Sequence, residues 1–133
     1  MECSPQEKLL VRPMALVVEA DKATADTMRR QLAEIGFDSE TTATGVGGIV
    51  AARERPPAVV FVALQLKDVG GIQFVGWLRS NPTLTTVPVI ALGAFGESDP
   101  GESRRRFAAM LKKPVSAAAL RNALTTALPP LSC

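Results

Sequence analysis

Six consecutive residues, Ala58-Val59-Val60-Phe61-Val62-Ala63, are apolar without interruption and rich in β-branched and aromatic types. Pro56-Pro57 precedes them, and a polar loop, Gln65 to Asp68, ending at Gly70-Gly71 follows. A short run with no polar alternation is how a strand reads when both of its faces are covered. Such a strand belongs at the centre of a parallel sheet, and the loop at its carboxyl end is where ligands and chemistry gather in open α/β sheets. Residues 64–71 are that loop, and Ala63 closes the strand.

The rest of the chain repeats the alternation. Residues 14–18 read as a buried strand ended by Glu19-Ala20-Asp21. Thr24, Met28, Leu32 and Ile35 then fall on one helical face, and Gly36 stops that helix. Residues 37–42 form a short strand whose polarity places it near an edge. Thr44 caps a second helix that runs to Arg55 despite Gly45, Gly47 and Gly48, and Pro56 ends it. Ile72, Val75, Trp77 and Leu78 belong to a third helix ending near Asn81-Pro82. A fourth strand spans 87–92, residues 93–101 are loop, and a short basic helix spans 102–108. A fifth strand, 110–112, leads into Lys113-Pro114, and Ser116 caps a last helix carrying Leu120, Leu124, Ala127 and Leu128 on one face. Strand and helix alternate five times. Short connections and right-handed crossovers make this a doubly wound parallel sheet with helices on both faces. The domain spans residues 14–128, with tails at 1–13 and 129–133.

Composition narrows the function. Fifteen basic against 13 acidic residues leave a formal charge of +2, too small an excess to imply nucleic acid or an anionic membrane. Aromatics are 5% of the chain, too few for a base-stacking surface. There is no histidine, so any Ser-His or Cys-His nucleophile pair is excluded, along with the commonest general base and metal ligand. Cys3 and Cys133 lie in the two tails, with neither metal-ligand spacing nor a disulfide framework, and read as free thiols. No apolar run nears the roughly 20 residues needed to span a bilayer, and the first residues lack the pattern of a signal peptide. The expectation is a soluble, cytoplasmic, non-enzymatic domain without a cofactor.

Five segments taken in order, Val17 to Asp21, Pro57 to Ala63, Gly70-Gly71, Val87 to Ala94 and Leu111 to Val115, resemble a response-regulator receiver domain. The resemblance covers about residues 14–128. It implies a flavodoxin-like, CheY-like fold of five parallel strands in the order 2-1-3-4-5, and a place in bacterial-type two-component (phosphorelay) signalling. It also implies a site at the carboxyl ends of the strands. That site has two acids for Mg²⁺ after the first strand and an acceptor aspartate ending the third. A Ser or Thr ends the fourth strand, and a lysine before a cis proline follows the fifth. Carboxylate oxygens suit Mg²⁺, and phosphoryl transfer needs an oxygen nucleophile with donors for the equatorial oxygens.

Mapped onto this chain, the acid pair falls on Glu19 and Ala20, the acceptor on Ala63, the hydroxyl on Gly93 and the aromatic switch residue on Met110. Lys113-Pro114 matches. The pattern reads as a pseudo-receiver that does not run the phosphorylation cycle, with no metal expected. Asp68 is the alternative acceptor, although it lies five residues past Ala63. Asp21 with Glu19 could form a weak metal site, against a solvated cluster in which Lys113 pairs with Glu19. The family's usual interaction surface would here carry Arg104, Arg105, Arg106, Lys112 and Arg121. It would meet another signalling protein (a histidine kinase, response regulator or output domain) or a second copy of the chain. Phe95 and Phe107 flank that surface and are expected in the core. A flavin or nucleotide site after the first strand is disfavoured, because Glu19-Ala20-Asp21-Lys22 is acidic and has no glycine.

Overall fold

A computed structural model describes residues 12–93 and 107–128. Within them lie β1 (Met14–Val18), α1 (Lys22–Ile35), β2 (Asp38–Thr42), α2 (Gly45–Glu54), β3 (Val59–Ala63), α3 (Gly71–Arg79), a 3₁₀ turn (Pro82–Leu84), β4 (Val89–Gly93), β5 (Ala109–Lys112) and α4 (Ala117–Ala127). The five strands form one sheet in the order β2-β1-β3-β4-β5, and every pairing is parallel. The apolar run at β3 is central, and all five of its residues are buried. The polar strand β2 is an edge, as its composition implies.

Two cores lie on opposite faces of the sheet. Val18, Val60, Val62 and Ala91 pack with Phe74, Val75 and Leu78 of α3 and with Ala51 and Ala52 of α2. Val17, Phe61, Ile90 and Leu92 pack with Met28 and Leu32 of α1 and with Leu120 and Leu124 of α4. Adjacent residues of a strand point to opposite faces, so Phe61 and Val62 serve different cores.

The helix ends follow from local chemistry. Asp21 caps α1, accepting from Thr24 N at 3.2 Å. Gly36 ends that helix at φ 106°, a left-handed conformation that favours glycine, and its N–H donates to Ala33 and Leu32 carbonyls. Thr44 Oγ1 accepts from Gly47 N at 3.0 Å, and Ser116 Oγ accepts from Ala119 N at 3.1 Å. Two of the three glycines of α2, all read from sequence as a weakness, have a packing reason. A Cβ on Gly45 would overlap Val69, and one on Gly48 would lie 2.7 Å from Val18 Cγ2 and 3.0 Å from Phe74 Cε2. α2 therefore sits closer to the sheet and to α3 than an alanine helix could.

Some boundaries differ from the sequence expectation. β4 begins at Val89, because Val87 and Pro88 precede the ladder and Pro88 contributes only its carbonyl, to Val60 N. Gly93 belongs to β4 rather than to the following loop. Ala25, Met28 and Leu32 form the buried face of α1, while Thr24 is only half-buried. The expected basic helix over 102–108 lies outside the described residues except at Phe107 and Ala108, which are not helical and lead into β5. Phe107 is buried, as expected, and Phe95 lies outside the described residues. No helix among the described residues is long and apolar enough to cross a membrane.

Candidate functional site at the carboxyl edge of the sheet

Parallel register brings the strand ends into one row. Val18 pairs with Val62, Ala63 with Leu92, and Gly93 with Lys112. Glu19, Ala63, Gly93 and Lys113, which lie up to 94 residues apart in sequence, therefore meet along one edge. The backbone ties the row together: Glu19 N donates to Thr42 O at 2.9 Å, Leu64 N to Leu92 O at 3.0 Å, and Lys113 N to Gly93 O at 3.1 Å.

Lys113 Nζ forms an ion pair with Glu19 Oε1. The pair was expected, but as part of a solvated cluster, and burial corrects that. The Glu19 side chain is 3% exposed and the Lys113 side chain 33%. A carboxylate this buried must be paired to stay charged at modest cost. Its second oxygen, Oε2, accepts from Asp21 N at 3.2 Å. The cis peptide bond between Lys113 and Pro114, implied by the resemblance, is present.

The two aspartates considered for chemistry are committed elsewhere. Asp21 Oδ2 accepts from Thr24 N and, at 2.5 Å, from Thr24 Oγ1. Those bonds, first from the Thr24 side chain and then from its backbone, hold the Asp21 carboxyl below the ordinary aspartate range, and the nearby Lys113 charge adds to the effect. Asp68 sits in the loop after β3, which closes on itself through a Gln65–Gly70 bridge and a bond from Gly71 N to Leu64 O at 3.2 Å. From there Asp68 reaches the N-terminus of α2. Its Oδ1 accepts from Gly45 N and its Oδ2 from Val46 N, each at 3.0 Å. The Val46 and Gly45 N–H groups lower its pKa in turn. It caps a helix 22 residues away in sequence by satisfying two of the N–H groups that a helix start leaves without partners. Asp68 thus does not lie on the strand end.

The donor set does not fit a divalent cation. One Glu19 oxygen is occupied by Lys113, Asp21 turns to its own helix, and Ala63 offers a methyl group. No group of three acidic, cysteine or histidine side chains converges among the described residues. Met110, expected from the resemblance at the switch position, is half-buried and packs against the core that contains Phe74 and Val75. Of the expected interaction surface, Lys112 and Arg121 are exposed on β5 and α4, while Arg104, Arg105 and Arg106 lie outside the described residues. Sequence alone reads Asp21 as a remnant acid beside Glu19 and not as a cap, although an Asx residue directly before a helical pattern is the signal that marks one. The capping role of Asp68 has no such signal, because its helix is remote.

Residues 15–125 match the response regulator receiver domain family. Among curated relatives, the polar-differentiation response regulator DivK of Brucella ovis is 28% identical over 103 residues, which cover 76% of this chain and 84% of that protein. Among solved structures, a CheY-like response regulator receiver domain from Methylobacillus flagellatus superposes with a TM-score of 0.82 at 29% identity, over 89% of this chain and all of that one. The receiver domain of sensor histidine kinase PA1611 from Pseudomonas aeruginosa, with a magnesium ion coordinated in its active-site cleft, has a TM-score of 0.79. At 20% identity over 88% of this chain and 98% of its own, it bears on the fold alone. The strand order, the row of strand ends and the family match together place this chain in the response regulator receiver domain family, the receiver module of two-component signalling.

Proposed function

We propose that this receiver works without phosphorylation, as a protein-interaction module in two-component signalling. The observation that carries the reading is Ala63. It closes β3 and is 2% exposed, and it is the residue that the receiver resemblance maps to the acceptor aspartate. A methyl group has no lone pair with which to attack phosphorus. The surroundings point the same way. Gly93 offers no hydroxyl at the end of β4, and Lys113, the remaining cation of the site, is bound to Glu19. An acceptor role for Asp68 is not favoured, since both of its oxygens are engaged at the start of α2.

In this reading, function resides in the surface that the scaffold presents. Lys112 and Arg121 are its described basic members, and the partner is another signalling protein: a histidine kinase, a response regulator or an output domain. The test is affinity for purified two-component proteins of the source organism, with and without acetyl phosphate. The reading expects the same affinity in both conditions and weaker binding for Lys112→Glu or Arg121→Glu. Binding that appears only with the phosphodonor would contradict it.

A further inference from the structure

At the opposite end of the sheet from Glu19 and Lys113, a groove of about 770 Å³ runs between α1 and the open edge strand β2. Arginines from three separate segments converge on it: Arg12 before β1, Arg29 and Arg30 on α1, and Arg55 just past α2. Met14, Ala33 and Phe37 add apolar atoms to its lining. Two acids, Asp26 and Asp38, also line it. Asp38 is occupied, with its Oδ1 3.2 Å from Arg12 Nε. Arg12 Nη2 also donates to the Ala33 carbonyl at 3.2 Å and to that of Phe37 at 3.4 Å, which fixes one wall of the groove. Arg29, Arg30 and Arg55 form no ion pair with another described residue. They leave the groove with a local excess of positive charge in a chain whose formal charge is only +2.

Every cation in the groove is arginine, although the chain also contains lysines. Arginine's planar fork binds phosphate oxygens bidentately, where lysine acts as a point charge. The groove is open to solvent, so a ligand there would be held chiefly by its charges on the convergent guanidinium groups rather than by enclosure. We propose that this groove binds a diphosphate-bearing ligand. Its phosphoryl groups engage Arg29, Arg30 and Arg55 against the wall that Arg12 holds, and the ligand's source is either a nucleoside diphosphate or inorganic pyrophosphate. α1 joins this groove to the strand-end row, since Asp21 caps its start and Ala33, near its last turn, lines the groove. The proposal is independent of whether Ala63 is bypassed in signalling.

The experiment is a backbone-amide NMR titration of the full chain with inorganic pyrophosphate, ADP and adenosine. The expected result is saturable binding of both anions, not of adenosine, with shifts confined to residues 12–14, 26–39 and 55. Tighter binding of ADP than of pyrophosphate assigns the apolar lining to a nucleoside, and equal binding assigns the site to the phosphoryl groups alone. Arg29→Gln/Arg30→Gln should weaken binding by about tenfold or more. Lys67→Gln/Arg53→Gln, which removes the same charge at exposed positions outside the groove, should leave it unchanged. Absence of binding by either anion, shifts centred elsewhere, or equal weakening in both double variants would overturn the proposal.

Discussion

Asp68 and Asp21 are both acidic and both close to the strand ends, yet each is spent on a helix N-terminus. A carboxylate that accepts backbone N–H bonds in its charged form is stabilised as the anion, which lowers its pKa. Its contribution to stability is therefore complete above the ordinary aspartate range, and it is lost as pH falls through the depressed folded-state value. The Gly45 and Val46 amide shifts should consequently titrate with a midpoint below that of an ordinary aspartate, and Asp68→Asn should lower both the melting temperature and the exchange protection of those two amides. A midpoint at or above the ordinary value would contradict the cap. The Glu19–Lys113 pair is unequal, because Glu19 is buried and Lys113 is one-third exposed. Lys113→Ala strands a buried carboxylate and should cost about 2 kcal/mol, discounted from the fully buried case for the lysine's contact with water. Glu19→Gln leaves a partly solvated ammonium and should cost less. Denaturant melts of the two variants and of their combination measure the difference, and equal costs would contradict the asymmetry.

At the scale of elements, helix propensity and packing oppose each other at Gly48 of α2 and agree at Gly76 of α3. Propensity alone favours alanine over an interior glycine by about 1 kcal/mol. At Gly76 nothing lies within 4 Å of an added Cβ, so Gly76→Ala should stabilise by about 0.5–1 kcal/mol. At Gly48 the added carbon meets Val18 and Phe74, and overpacking should reverse the sign, to a net loss of about 1 kcal/mol or more. Chemical denaturation of both variants checks this, and stabilisation by Gly48→Ala would show that α2 can move away from the sheet. The same helix marks a limit of sequence reading. Apolar runs, caps and proline stops place β1, β3, α1 and α4 well, because those signals are local. The reason for Gly45 and Gly48 lies in Val69, Val18 and Phe74, side chains on other elements, and no local pattern carries it. Pro88 likewise shifts the start of β4, since its ring removes the N–H that a ladder residue would donate.

At the scale of the whole molecule, parallel winding gathers Glu19, Ala63, Gly93 and Lys113 along one sheet edge and leaves the arginine groove at the other end. The first grouping was legible, because alternation of strand and helix fixes which ends converge, and the receiver resemblance supplied the positions. The burial of Glu19 was not, since Glu19-Ala20-Asp21 reads as a polar loop. The groove was invisible for a related reason: Arg12, Arg29 and Arg55 are unremarkable charges until the β2 edge and α1 bring them together. With Ala63 at the position that the resemblance gives to the acceptor, this receiver is proposed to stand outside the phosphorylation cycle. Intact-protein mass after incubation with acetyl phosphate and Mg²⁺ tests this most directly. The account predicts that the wild-type mass does not change. Gain of a phosphoryl group by the wild-type chain, at any residue, would contradict it.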